Sequence, residues 1–288
     1  MKISIIGGSG IVGYGIYLTL KKFHDVKIYD SKFFNNKTLK YNSNELFDCD
    51  LFVHAAGITD ELVKDNLNFA IFKSNNFIEY LAKNLIKSNC KHIVYISSIH
   101  VYGDLGKKIN KITKPNPYSL YSLMHYNSEM FFKILLKNSN IDLLNLRIPT
   151  VYGFPKNRVK INRPNIIQFN FPLSLIENNT IKLNSSGNQF RLFCSNYKIG
   201  KIILIWLNDL EKTQFSEESV DGVNVTVKEF AELCVNRYNL FFKSSAKLVL
   251  NDLKLVNEAY NKINVESKYN TSEEYKLSDF IDDFFNTK

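Results

Sequence analysis

The chain has 288 residues, 45% of them hydrophobic, and a formal net charge of +9. That apolar content excludes a disordered chain and supplies a sizeable core, in one large domain or two of ordinary size. Uninterrupted apolar runs stay well short of the roughly 18 residues a membrane helix needs. The lysines are scattered and arginine is rare, so the positive charge reads as a solvated surface that favours anionic ligands, not as a nucleic-acid face.

Lys2 to Ile6 reads as a short strand ending in glycines, and Ile11 to Phe23 carries apolar residues at helical spacing. Met1 to Leu20 loosely mimics a signal peptide, but Gly7, Gly8, Gly10 and Gly13 interrupt it, so strand, loop and helix is the better reading. Val26 to Tyr29 is a second expected strand, closing on Asp30. Asp50 to His54 is a third, ending at Ala55-Ala56-Gly57. Leu62 to Ser88 reads as one or two helices, His92 to Ile96 as strand, Tyr118 to Leu136 as helix and Ile141 to Leu146 as strand. Strands separated by helices predict right-handed βαβ units and a parallel sheet covered on both faces.

After Gly153 the regularity fades. Phe154 to Pro172, with three prolines, reads as loop; a strand is expected at Ile181 to Leu183, and helices at Tyr197 to Trp206 and Val227 to Tyr238. Thr271-Ser272-Glu273-Glu274 has the form of a cap for a last amphipathic helix running to Phe285. The four cysteines form no C-x-x-C pair and the five histidines lack metal-ligand spacing, which implies reduced thiols, a cytoplasmic setting and no metal site.

Gly7-Gly8-Ser9-Gly10-Ile11-Val12-Gly13 lies between a strand and a helix. A glycine turn there lets backbone N–H groups approach a pyrophosphate seated on the positive helix N-terminus. The spacing is G-x-x-G-x-x-G, and the context of strand, helix and a following acid is what makes it informative. Asp30, 17 residues after Gly13, suits ribose hydroxyls and repels a 2′-phosphate, so NAD is expected over NADP. Lys32 would soften that preference.

Further motifs follow in order: Asp50 to Gly57, Val94 to Gly103, Arg147 to Gly153, and Gly187-Asn188-Gln189-Phe190-Arg191. With the glycine loop, they resemble the extended short-chain dehydrogenase/reductases of the NAD-dependent epimerase/dehydratase type, which mostly act on nucleotide sugars. The resemblance implies a doubly wound Rossmann-type α/β sheet with a small mixed C-terminal substrate lobe. The expected division is 1–153 for the nucleotide domain, with a later contribution from about 190–225, and 154–288 mainly for the lobe. It also implies NAD as cofactor, held by Gly7, Ser9, Gly10, Ile11, Val12, Gly13, Asp30, Ala55, Ala56, Gly57 and Asn75. A homodimer is implied, paired through the Tyr121 helix and the helix near Leu81, with Phe77, Leu81 and Leu85 as apolar support.

The chemistry of that family uses a tyrosine, a serine or threonine, and a lysine four residues after the tyrosine, on the same helix face. Ser98 matches the hydroxyl, and Glu129 sets a register in which Tyr121 is the tyrosine. His125 then stands where lysine is usual. Tyr118 fits worse, and the literal Tyr-x-x-x-Lys matches at Tyr152 and Tyr197 fall in the wrong context. In this reading Ser98, Tyr121 and His125 are catalytic, Tyr121 and His125 also meet the cofactor, and Ser98, His100 and Arg191 meet the substrate. Arg191 is the diphosphate ligand, because a guanidinium suits phosphate, whereas Arg147 ends a core strand.

An imidazole with an ordinary pKa near ~6.5 is largely neutral at pH 7, which weakens activation of the tyrosine. Ser98-Ile99-His100 also lacks the acid of sugar 4,6-dehydratases, so dehydration is disfavoured. The resemblance points to a nucleotide-sugar epimerase or ketosugar reductase serving surface polysaccharide synthesis. The alternative is a dinucleotide-binding regulatory or scaffold protein that kept the fold after losing the lysine.

Overall fold

The computed structural model describes residues 1–30, 34–35, 40–41, 44–158, 166–250 and 261–287. In chain order the first layer comprises β1 (Lys2–Ile6), α1 (Ile11–Leu20), β2 (Asp25–Tyr29), β3 (Phe34–Asn35), β4 (Lys40–Tyr41), β5 (Leu51–His54), α2 (Asp60–Asp65), α3 (Leu67–Ser74), α4 (Asn76–Ile86), β6 (His92–Ser98), α5 (Leu120–Leu136) and β7 (Asp142–Ile148). There follow β8 (Thr150–Tyr152), α6 (Ile167–Asn178), β9 (Thr180–Leu183), β10 (Phe190–Ser195), α7 (Asn196–Asn208), β11 (Phe215–Ser219), β12 (Val223–Thr226), α8 (Val227–Phe242), β13 (Lys247–Leu250) and α9 (Leu277–Asn286).

Six strands form a parallel sheet in the order β11-β7-β6-β5-β1-β2. The chain leaves β1 towards β2 on one side and resumes at β5 on the other. That reversal opens a crevice beyond the carboxyl end of β1, where α/β sheets hold their ligands. Side-chain alternation covers both faces. Ile3, Ile5, Leu51, Val53, Val94, Ile96, Leu144 and Leu146 pack against α1 and α7. Ile6, Phe52, Ile93, Tyr95 and Leu143 pack against α4 and α5. The fold is the doubly wound α/β architecture, and residues 196–219 return to complete it after the chain has visited the second lobe.

A buried polar network ties the sheet to α5. Arg147 on β7 makes a bidentate pair with Glu129 (Nη2–Oε2 2.6 Å, Nε–Oε1 3.1 Å), and both side chains are almost fully enclosed. Ser97 donates to the same carboxylate, and Arg147 also donates to the Tyr102 hydroxyl at 2.9 Å. Glu129, the register marker on α5, is therefore a structural anchor that fixes the helix against the serine strand.

The smaller lobe is built on the sheet β12-β10-β8 and the parallel pair β13-β9. Its core is rich in aromatics, with Tyr152, Phe154, Phe169, Phe193, Phe230, Phe280 and Phe284 buried together. Two expectations need correction here. Part of the expected loop is helix: α6 begins at Ile167 and carries Pro172 inside it, because burial of Phe169, Phe171 and Leu175 outweighs the lost proline N–H bond. The last helix starts only at Leu277, where Asp279 accepts from the Lys276 N–H. Glu273, expected in its cap, instead accepts from the Ser195 N–H at the start of α7.

Phe77, Leu81 and Leu85 face the sheet as core residues, so they cannot support a dimer contact. Among the described residues no helix is long and apolar enough to cross a membrane.

Candidate active site

The crevice beyond β1 is a cavity of about 1160 Å³, lined from both lobes. Its size exceeds the roughly 300–1,000 Å³ of common small-molecule pockets, leaving room for a two-part ligand. Its floor is the glycine turn. Gly7 has φ +75°, and a Cβ there would come within 2.6 Å of Ala56 N. A Cβ on Gly13 would come within 2.3 Å of the Gly7 carbonyl oxygen, so only glycine lets α1 pack onto the turn. Gly13 itself does not line the cavity, whereas Gly7, Ser9, Gly10, Ile11, Val12, Ala55, Ala56 and Gly57 do. Among the described residues no side chain caps the α1 N-terminus, and its first turn holds no acid, which leaves its N–H groups for an anion.

Asp30, at the end of β2, also lines the cavity. Its Oδ1 is buried without a hydrogen-bond partner among the described residues. Such an acceptor is costly unless a ligand donor completes it, and ribose hydroxyls fit that role. Lys32 lies outside the described residues. NAD is expected to bind at least about tenfold tighter than NADP. Calorimetry with both cofactors checks this, and equal or tighter NADP binding overturns it.

Opposite the turn, β6 ends at Ser98. Its Oγ accepts from the His100 N–H at 3.2 Å, capping a short 3-10 turn at Ile99–Tyr102. The next long helix, α5, starts with a reciprocal Ser119–Ser122 capping box that fixes its phase. That phase turns Tyr121 and His125 into the cavity, their rings edge to face at 4.8 Å. Tyr118 points away and is 72% exposed. Tyr152 is a core residue of the lobe, and Lys201 pairs with Glu274, so neither literal Tyr-x-x-x-Lys match takes part.

His125 is buried, and both its nitrogens are engaged. The Ile58 carbonyl, 3.2 Å from Nε2, can only accept, so Nε2 carries the proton. Nδ1 then accepts from the Tyr95 hydroxyl at 3.1 Å. Burial above all holds this imidazole near pKa 4, so it is neutral at pH 7. His100 opens onto the cavity at 6.1 Å from the Tyr121 ring. Partial loss of solvent around the ring, then the Arg191 guanidinium, keeps its pKa below the ordinary range.

Arg191, on β10, lines the cavity from the lobe side. Asn75 does not line it: it lies at the junction of α3 and α4, where its Oδ1 accepts from Ser74 Oγ. Lys73, just before this junction, does line the cavity, and its Nζ donates to the Gly57 carbonyl at 3.0 Å. Nothing in the sequence separates Lys73 from a surface-helix lysine. Asp60 and Glu61 on α2 are further cavity residues that the motifs did not mark.

A glycine-turn cleft at a topological switch point, with a serine and a tyrosine on its far wall, defines a dinucleotide-dependent α/β enzyme site. The profile of the NAD dependent epimerase/dehydratase family matches residues 3–214, and the chain belongs to that family. The cofactor of the family is NAD, and the residues around the turn fit it. No curated protein matches the sequence. Among solved structures, the chain is similar to UDP-glucuronic acid 4-epimerase from Bacillus cereus in complex with UDP-glucuronic acid and NAD (18% identity, TM-score 0.77, covering 100% of this chain and 99% of that one). It is also similar to UDP-N-acetylglucosamine 4-epimerase from Methanobrevibacter ruminantium M1 in complex with UDP-N-acetylmuramic acid (16%, TM-score 0.80, 100% and 99%). A third is an NAD dependent NDP-hexosamine 5,6-dehydratase involved in tunicamycin biosynthesis (16%, TM-score 0.76, 100% and 98%). At these identities the likeness concerns the fold, which epimerases and a dehydratase share.

Proposed function

We propose that the protein is an NAD-dependent nucleotide-sugar epimerase or ketosugar reductase. The observation that carries this reading is the convergence of Ser98 and Tyr121 on the same cavity as the glycine turn and Asp30. Bound NAD supplies hydride uptake and return at a sugar carbon. Tyr121 takes or gives the proton at the sugar oxygen. Ser98 orients that oxygen, since its Oγ accepts from the His100 N–H and keeps its own proton to donate. His125, neutral and bonded on both sides, buttresses Tyr121. Arg191 takes the diphosphate.

Elimination of water is disfavoured because the serine turn brings no acid of its own; the described carboxylates in the cavity come from the end of β2 and from α2 instead. The test is deuterium exchange at the sugar, read by mass spectrometry over UDP-, GDP- and dTDP-sugars and their 4-keto forms. Exchange with a subset of them supports the enzyme. NAD binding with no exchange on any of them replaces it with the scaffold reading.

The assembly proposed is a homodimer through α5. Leu120, Leu123, Phe131 and Ile134 lie along one side of that helix, each 37–57% exposed, and form an apolar stripe that water alone would cover. Light scattering at micromolar concentration is expected to give a dimer, and Leu123→Lys with Ile134→Lys a monomer. A monomeric wild type removes the proposal.

A further inference from the structure

The helix position four residues after Tyr121 holds a neutral histidine, yet the cavity is not without cations. Among the described residues, three lysine or arginine side chains line the cavity: Lys64, Lys73 and Arg191. Lys64 is paired with Asp60 and largely exposed, and Arg191 stands on the lobe side. Lys73 comes from α3. Its Nζ holds the Gly57 carbonyl while His125 Nε2 holds the next one, at Ile58. The ammonium and the imidazole thus grip consecutive peptides of one loop, and the imidazole lies edge to face with the Tyr121 ring.

Small side chains make this approach possible. Ser74 Oγ meets Met124 Sδ at 3.2 Å and Ser128 Oγ reaches the Ser74 carbonyl at 3.3 Å, so the end of α3 packs directly on α5. No carboxylate among the described residues forms an ion pair with Lys73. Its charge is therefore not cancelled locally.

We propose that Lys73 is the positioning cation of this site, supplying from α3 the positive charge that stabilises the Tyr121 phenolate in place of a lysine on α5. This rests on the reading of Tyr121 as the proton carrier. Burial lowers Lys73 to about 8, so it is still mostly charged at neutral pH, whereas His54 and His125 are held near 3 and 4 and contribute none. Among the described residues, Tyr95 on β6, His100 after it, and Asp60, Glu61 and Asp65 on α2 are other titratable groups close to the same space; burial holds the His100 pKa below its ordinary value, and the rest carry no positive charge.

The test separates charge from hydrogen bonding. Lys73→Gln keeps a donor for the Gly57 carbonyl without the charge, and Lys73→Arg keeps both. The readout is the ionisation of Tyr121 in the protein without substrate, followed by phenolate absorbance and assigned by difference from Tyr121→Phe. Thermal melting confirms folding of each variant. The expected result is a Tyr121 midpoint at least one pH unit higher in Lys73→Gln, unchanged in Lys73→Arg, and recovered when His125→Lys is added to Lys73→Gln. If Lys73→Gln does not fold, a Lys73→Met variant is read in the same way. A Tyr121 midpoint indifferent to Lys73 in a folded variant overturns the proposal, whatever the turnover. A shifted midpoint in a protein that exchanges no nucleotide sugar upholds Lys73 and overturns only the proposed reaction.

Discussion

Tyr121→Phe is expected to lower deuterium exchange at the sugar by ~10²–10⁴-fold, the range spanned by a single acid–base group. The phenylalanine keeps the edge-to-face packing on His125 and removes only the hydroxyl, so NAD affinity and melting temperature should stay close to wild type. Loss of turnover together with retained cofactor binding identifies the hydroxyl as the proton carrier. Ser98→Ala, which removes an orienting donor and a turn cap, should cost less turnover and some stability. Exchange that survives Tyr121→Phe unchanged shows that another residue moves the proton, and that the register set by Glu129 governs structure alone.

The second large effect is on stability in mild acid. His54 and His125 are both buried and neutral. His54 has neither ring nitrogen hydrogen-bonded among the described residues and is surrounded edge-on by Phe77, Tyr95 and Phe132. Burial depresses the two to about 3 and about 4. Their folded pKa values lie below the unfolded value of ~6.5, so the unfolded chain binds the protons first. The stabilisation is fully present above pH ~6.5 and is lost as pH falls towards the folded values.

Between pH ~6.5 and ~5 each histidine forfeits ~2 kcal/mol, before most carboxylates titrate. For a chain of this length the two together lower the melting temperature by roughly 6 °C. Calorimetric scans from pH 7.5 to 5 measure it, and His54→Phe, which keeps a ring in the same aromatic nest, should roughly halve the slope. A melting temperature that holds steady over this range would show that neither ring is neutral because of burial.

Much of the first layer was legible because its signals are local. Ile3 and Ile5 on one face and Ile6 on the other follow from strand alternation, and the glycine turn, Asp30 and Ser98 all sit at strand ends where the chain must turn. The lobe was less legible. Its core is assembled from Tyr152, Phe193, Phe230 and Phe280, far apart in sequence, and there packing overrode local signals: Pro172 stays inside a helix, and Glu273 serves another helix than its own.

The sequence by itself determined the parallel sheet, the cofactor turn and the Tyr121–His125 pairing, because each is set by residues a few positions apart on one element. That a lysine from another helix reaches the loop beside His125 was decided only by the tertiary structure. Lys73 and His125 stand 52 residues apart on different helices, and no periodicity links them. They reach one loop because Ser74 and Ser128 are small enough for α3 to lie against α5, and because the carbonyls of Gly57 and Ile58 offer two adjacent acceptors.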